Sequence, residues 1–126
     1  MKIIATGVAA GVLLAASAFA MDDPAKTMNT SAGKVYTDEK GMTLYVYDKD
    51  EAGKSNCNDK CAANWPPFKA PAGAMAMGEW TIVKRADGTM MWAYDGKPLY
   101  TYVKDKKAGD VTGDGVGGVW HVAKPD

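Results

Sequence analysis

An internal repeat constrains this chain more than any other feature of its sequence. The segment Tyr45-Val46-Tyr47-Asp48-Lys49-Asp50 has a close copy 55 residues later, Tyr100-Thr101-Tyr102-Val103-Lys104-Asp105. Residues 34–71 align without a gap to residues 89–126, with identities at Gly41, Leu44, Tyr45, Tyr47, Lys49, Asp50, Asp59, Trp65 and Lys69 of the first copy. Self-similarity at a fixed period is typical of one structural unit used more than once. We therefore predict one domain, residues 34–126, made of two similar halves at about 34–71 and 89–126.

The N-terminal residues read as an export signal. Lys2 precedes an apolar run, and Ala18-Phe19-Ala20 forms a small-x-small cleavage site, so residues 1–20 are predicted to be a signal peptide cleaved after Ala20. An uncleaved membrane anchor is the alternative, but the apolar run is short for a membrane span, and we expect none after cleavage. No Cys lies at the cleavage point, so we expect a periplasmic or secreted protein that is not lipidated. Residues 22–33 have one long apolar side chain, Met28, and residues 21–33 are predicted to be a flexible leader.

Charge argues against some classes of partner. Without the predicted signal peptide the chain has 14 Lys and Arg and 15 Asp and Glu, which gives a formal charge of −1. The sequence contains no stripe of basic residues. We therefore expect no nucleic-acid partner, because such proteins need clustered Lys and Arg to neutralise phosphates. The expected partner is an unidentified ligand or protein of the cell envelope.

Turn signals and alternating residues predict an all-β fold. Asp87-Gly88 and Asp95-Gly96 are strong hairpin signals, and they separate three segments into a predicted meander. The predicted strands are Lys34–Asp38, Met42–Tyr47, Glu79–Arg85, Thr89–Tyr94, Lys97–Val103 and Val119–Ala123. One short helical turn is expected near 58–64. We expect a small sandwich or barrel of antiparallel hairpins built from the two repeats.

Cys57 and Cys61 are the only cysteines. In an exported protein an oxidising compartment favours a disulfide between them. A redox-active pair is the alternative, although C-x-x-x-C differs from the C-x-x-C of thioredoxin-like proteins.

Two groups of residues suggest a metal site. Asp110 and Asp114 occupy positions 1 and 5 of a partial calcium loop, but position 12, normally a bidentate Glu, is His121. Met75 and Met77 offer soft ligands for Cu(I), with His121 as a further ligand. Solvated loop carboxylates and core-filling methionines explain the same residues. We predict no cofactor and retain a periplasmic copper- or calcium-binding protein as the alternative function.

The repeated aromatic residues are Tyr45, Tyr47, Trp65, Tyr100, Tyr102 and Trp120. We expect equivalent copies to meet across a pseudo-twofold interface and pack, although an exposed platform for sugars or flat ligands would use the same residues. Asp50 and Asp105 end the two motifs and are expected to accept backbone N–H bonds from the following loops.

A hydrolytic enzyme is not expected. After residue 20 the chain has one histidine, His121, and two serines, Ser31 and Ser55. A catalytic triad needs a nucleophile, a base and an orienting group in contact, and no pattern here supplies them.

At the repeated motif the chain resembles a secreted repeat family described as predicted lipoproteins with a Y-x-[FWY]-x-x-D motif. The resemblance covers about residues 34–124 and extends to Asn64-Trp65-Pro66-Pro67, Arg85-Ala86-Asp87-Gly88, Trp92-Ala93-Tyr94, Gly113-Asp114-Gly115 and Val119-Trp120-His121-Val122. It implies an exported bacterial protein of tandem units whose biochemical role is not established, and it assigns no catalytic residue. The chain departs from the family label in having no lipobox cysteine. A non-enzymatic envelope module, for binding or structure, is the function we expect.

Overall fold

The fold consists of three small antiparallel sheets. A computed structural model describes residues 23–125. The strands are β1 (Lys26–Thr30), β2 (Gly33–Thr37), β3 (Tyr45–Tyr47), β4 (Trp80–Lys84), β5 (Met90–Tyr94), β6 (Lys97–Pro98) and β7 (Trp120–Val122), with a short helix α1 (Lys60–Asn64) and a 3₁₀ turn (Val116–Gly118). The sheets pair β1 with β2, β3 with β7, and β4 with β5 and β6. The predicted all-β class, the helical turn and the meander are confirmed, but the described strands form no closed barrel.

The predicted flexible leader is wrong for its second half, because β1 lies within it. Strand β1 pairs with β2 over five positions, from Lys26↔Thr37 to Thr30↔Gly33. Its exposed, polar residues gave no apolar alternation, so the sequence resembled a linker. The turn closes through Thr30, whose Oγ1 donates to the Gly33 carbonyl at 2.8 Å. The first structural unit therefore begins near residue 26, and the predicted signal peptide lies outside the described residues.

The two halves exchange strand pairings around a pseudo-twofold axis. At the centre, Tyr45 N donates to Tyr100 O at 2.7 Å, and Tyr100 N donates to Tyr45 O at 3.0 Å. Strand β3 of the first half pairs with β7 of the second, in the register Tyr45↔Val122. The bridge Tyr100↔Pro67 is the same contact with the halves interchanged, since both residues are displaced by 55 positions. Each half therefore completes a sheet of the other half.

This exchange changes the predicted last strands. The segment predicted as a strand from Lys97 to Val103 is a regular strand only to Pro98. Tyr100 then leaves the meander to bridge Tyr45 and Pro67 of the other half. Strand β7 likewise adds to β3 rather than to its own half.

Two clusters of buried side chains lie on opposite faces of the strands. Adjacent residues such as Leu44 and Tyr45, or Leu99 and Tyr100, alternate between them, as side chains of an extended chain must. The central cluster contains Val35, Tyr45, Cys57, Trp65, Val83, Met91, Ala93, Tyr100, Trp120 and Val122. The outer cluster contains Ala25, Tyr36, Leu44, Trp80, Trp92, Leu99 and Ala123. The central cluster lies at the pseudo-twofold axis and therefore joins the halves.

The predicted disulfide is confirmed. Cys57 and Cys61 are bonded, with their Cα atoms 5.2 Å apart, and the bond connects the loop before α1 to its first turn. Cys57 is fully buried in the central cluster, so the disulfide fixes this loop against the core. Within residues 23–125, no helix is both long and apolar enough to cross a membrane.

We predict that replacing Cys57 and Cys61 by Ala lowers the free energy of unfolding by about 2 kcal/mol, because a short closed loop removes little entropy from the unfolded chain. Urea unfolding of the oxidised wild type and of the double variant measures the difference. A much larger loss would contradict this and show that the disulfide also organises the surrounding buried network.

Candidate functional site

The tyrosine and aspartate of each repeated motif bind the partner residue of the other half. Tyr45 Oη donates to Asp105 Oδ2 at 2.7 Å. Tyr100 Oη donates to Asp50 Oδ2 at 2.6 Å. Both tyrosine side chains are fully buried. The motif thus forms two reciprocal bonds around the pseudo-twofold axis, a relation that the sequence did not predict.

The second oxygen of each carboxylate holds the loop that follows it. Asp50 Oδ1 accepts the N–H of Asn56 at 2.6 Å. Asp105 Oδ1 accepts the N–H of Thr112 at 3.0 Å and the hydroxyl of the same residue. These are the local bonds expected from the sequence. Each aspartate therefore connects its own loop to the tyrosine of the opposite half.

Burial changes the ionisation of these groups. It raises the pKa of Tyr45 and of Tyr100 far above the usual value, and the carboxylate that accepts a hydrogen bond from each phenol adds to the effect. Burial also raises the pKa of Asp50, against the opposing effects of bonds from Tyr100 and Asn56 and of the Arg85 charge. The site therefore keeps both phenols protonated and makes Asp50 a better proton acceptor than an exposed carboxylate.

The remaining repeated aromatics form one continuous stack in the order Tyr47, Trp120, Trp65, Tyr102. Successive ring centroids are 4.3, 3.7 and 3.8 Å apart, with interplanar angles of 15°, 4° and 14°. Trp65 and Trp120 are 5% and 4% exposed, so the tryptophans cannot serve as a surface platform for a flat ligand. Equivalent copies from the two halves meet at the centre of the stack.

Gly113 is fitted against this stack. A Cβ at this position would lie 2.8 Å from Trp65 Cη2 and 2.9 Å from Tyr45 Cζ. The glycine N–H also donates to Tyr45 Oη at 3.2 Å. The close approach of backbone to rings, rather than a special backbone angle, accounts for glycine here.

A buried arginine, Arg85, donates a hydrogen bond to the serine that contacts the phenol of Tyr100. Arg85 is 5% exposed; its Nη1 donates to Ser55 Oγ at 3.0 Å and its Nη2 to the Cys57 carbonyl at 2.8 Å. Ser55 Oγ lies 2.6 Å from Tyr100 Oη. Because Tyr100 gives its one hydrogen to Asp50, Ser55 is the donor in that contact. Arg85 Nε is buried and has no partner within residues 23–125. Sequence reasoning missed this network, although Arg85 is the one arginine beside 14 lysines.

A groove crosses the surface where the two halves meet. It consists of two adjoining hollows of about 310 and 270 Å³, which share Val46, Asp48, Asp95 and Lys97. His121 lines the first hollow, and its Nε2 lies 2.8 Å from Asp48 Oδ2, with both side chains about half exposed. The groove thus presents side chains of both charges that are accessible to a ligand.

The pseudo-symmetry shows which groove residues the fold does not require. In the opposite half, 55 positions away, Asp48, Lys97 and His121 correspond to Val103, Met42 and Pro66. The same backbone framework accommodates these apolar residues without the polar groups. The shared framework therefore does not require the polar groups of Asp48, Lys97 and His121.

The residues considered as metal ligands have other contacts. Asp110 Oδ2 accepts the N–H groups of Lys106 and Lys107 at 2.9 and 3.1 Å, and Asp114 Oδ1 accepts the N–H of Val122 at 3.1 Å. Met75 is 75% exposed, and Met77 packs against the outer cluster. In the described part of the chain, no three His, Cys, Asp or Glu side chains are grouped to hold a metal ion.

These features define a two-repeat β-domain whose halves are completed by each other. A family described as a secreted repeat of unknown function matches residues 26–69 and 81–124, and the chain belongs to this family. The two matched segments begin 55 residues apart, which places the start of each unit at β1 and β4. Searches of the curated proteins and of the solved structures gave no match.

We predict that the buried phenols make the protein unfold in alkali. Both tyrosines ionise near pH 10 when unfolded but remain protonated in the fold, so the native state binds more protons above that pH. Stability should then fall with rising pH by about 1.4 kcal/mol per pH unit for each phenol. The unfolding free energy, measured by urea unfolding at several alkaline pH values, should fall less steeply with pH for Tyr45→Phe than for wild type. Equal pH dependence in the two proteins would contradict the conclusion that Tyr45 stays protonated in the fold.

We predict that Gly113→Ala lowers the free energy of unfolding by about 1–3 kcal/mol, because the added methyl group displaces Trp65 and Tyr45. The near-ultraviolet circular dichroism of the stacked tryptophans should change as well. Gly53→Ala is the control, since its added Cβ would meet nothing within 4 Å although the backbone angle is strained. A Gly113→Ala spectrum identical to wild type would show that the stack does not depend on this contact.

Proposed function

We propose that this exported protein is a non-enzymatic binding module of the cell envelope, and that its groove binds a polar peptide segment of a partner. The observation that carries the proposal is the difference between the two halves. Asp48, Lys97 and His121 line the groove, whereas their equivalents are Val103, Met42 and Pro66. A ligand that carries complementary charges would account for polar groups at positions where the framework accepts apolar residues.

Shape and charge favour a peptide as that ligand. Two adjoining hollows that share part of their lining suit an extended chain better than one rounded small molecule. Their walls carry acidic groups at Asp48, Asp95 and Glu51 and basic groups at Lys97 and Lys124. A partner segment bearing both charges can pair with these walls, and sites of this kind occur where structural units meet.

The chemistry of the site supports binding rather than catalysis. The chain has one histidine, and His121 is paired with Asp48 at the surface. Ser55 is buried and held between Arg85 and Tyr100, so its hydroxyl is not positioned next to that histidine. The repeated residues, in turn, are used in joining the halves.

We also propose that the protein acts in the periplasm or outside the cell after cleavage following Ala20, without lipid attachment. The secreted family and the disulfide support an extracytoplasmic location.

The test is a nuclear magnetic resonance titration of the protein with short blocked peptides that contain one Lys and one Glu. We expect shift changes at Asp48, Asp95, Lys97 and His121. The variant Asp48→Val/Lys97→Met, which introduces the residues of the opposite half, should weaken binding at least about tenfold, or 1.4 kcal/mol. Lys69→Met is the matched control, because Lys69 is the equivalent of groove residue Lys124 on the other face.

Shift changes outside the groove, or equal binding by the double variant, would contradict the proposed site. No shift change at millimolar peptide would reject a peptide ligand. If the wild type converts the peptides chemically and the double variant does not, the proposed non-enzymatic function is wrong.

A further inference from the structure

The two aromatic clusters of this protein are built differently. In the outer cluster, Tyr36, Trp80, Trp92 and Tyr94 meet edge-on or tilted, with interplanar angles from 52° to 86°. This is the ordinary arrangement of a packed aromatic core. In the central cluster four rings lie face to face within 15° of parallel. Core packing in this same molecule therefore does not require a parallel stack.

The stack connects two surfaces through a buried centre. Tyr47 and Tyr102 form its ends and are partly exposed, whereas Trp65 and Trp120 between them are buried. Tyr47 also lines the groove, so one end of the stack lies at the proposed binding surface. Indole and phenol are the aromatic side chains that lose an electron most easily, and close face-to-face contact favours electron transfer between rings.

Each tryptophan also has a buried tyrosine beside it. The Tyr45 ring lies edge-on to Trp65 at 5.3 Å, and the Tyr100 ring lies edge-on to Trp120 at the same distance. Each of these phenols already donates its hydrogen to a carboxylate, Asp105 or Asp50. A phenol loses an electron readily only if its proton can leave at the same time, and these carboxylates are placed to take it.

We propose that the stack is a one-electron relay: an oxidant that sits against Tyr47 or Tyr102 takes an electron from the stacked Trp120 or Trp65, and the oxidising equivalent then passes to the buried phenol of Tyr100 or Tyr45. The oxidant is an external one-electron acceptor, such as an oxidising radical or a high-potential metal complex. The relay confines the oxidised state to residues that solvent does not reach.

The transfer balances in atoms and charge. The external oxidant takes one electron from the stack and leaves a tryptophan radical cation at Trp65. Tyr45 returns one electron to Trp65 while its phenolic proton moves to Asp105 Oδ2. The products are neutral Trp65, a neutral tyrosyl radical at Tyr45 and a protonated Asp105. A one-electron reductant such as ascorbate restores Tyr45 as the proton returns; Trp120, Tyr100 and Asp50 form the equivalent set.

The test is pulse radiolysis of the intact protein with azide radical, which oxidises tryptophan in preference to tyrosine. We expect the tryptophanyl absorption to decay as tyrosyl absorption rises, at a rate independent of protein concentration. Because a proton moves in this step, the rate should be lower in heavy water. The variant Tyr45→Phe/Tyr100→Phe should lose this fast tyrosyl phase.

The control variant Tyr36→Phe/Tyr94→Phe removes the tyrosines of the outer cluster and should keep the fast phase. The proposal would be overturned if Tyr45→Phe/Tyr100→Phe kept the fast tyrosyl phase, or if the control variant lost it. If Tyr45→Phe/Tyr100→Phe does not fold, the variant Asp50→Asn/Asp105→Asn tests the proton acceptors instead. An unchanged rate of tyrosyl formation in that variant would overturn the proposal. In the wild type, a rate proportional to protein concentration would do the same, because transfer would then occur between molecules.

Discussion

The fold depends on two hydrogen bonds that cross between its halves, Tyr45 to Asp105 and Tyr100 to Asp50. A buried phenol hydrogen without an acceptor costs about 1–3 kcal/mol, and a buried carboxylate without a donor costs more. Neither half contains the partner of its own tyrosine. The β3–β7 pairing and the stack of Trp65 on Trp120 follow the same exchange. The halves therefore form one cooperative unit rather than two small domains joined by a linker.

The residues that join the halves are shared by both repeats, whereas residues around them differ from one repeat to the other. The shared residues join the halves, yet the two phenols have different neighbours. Tyr45 accepts the N–H of Gly113, whereas Tyr100 accepts from Ser55, which Arg85 supports. The disulfide also lies on one side alone, because Thr112 and Val116 are found at the positions equivalent to its cysteines. A duplicated framework thus tolerates different residues wherever the axis does not require identity, and the groove is one such place.

The sequence was informative wherever structure depends on neighbouring residues. Asp-Gly turns located the meander, the spacing of the two cysteines allowed their bond, and the period of 55 located equivalent positions. Three features escaped prediction for physical reasons. Strand β1 is an exposed edge with polar side chains, so no alternation marked it. Alternation shows which face of a strand is buried but not which strand pairs with it, so the exchange between halves was hidden. Arg85 is buried by contacts with distant residues, and its own segment reads as an ordinary strand end.

The groove and the central stack are physically continuous, which bears on both proposals. Tyr47 lines the groove and stacks on Trp120, and Asp50 lines the groove while accepting a hydrogen bond from Tyr100. A partner seated over Asp50 would remove more water from its carboxyl group and raise its pKa further, as burial already does. A carboxylate with a higher pKa accepts a proton more readily. Occupation of the groove would therefore make proton transfer from Tyr100 to Asp50 more favourable than it is in the unoccupied protein.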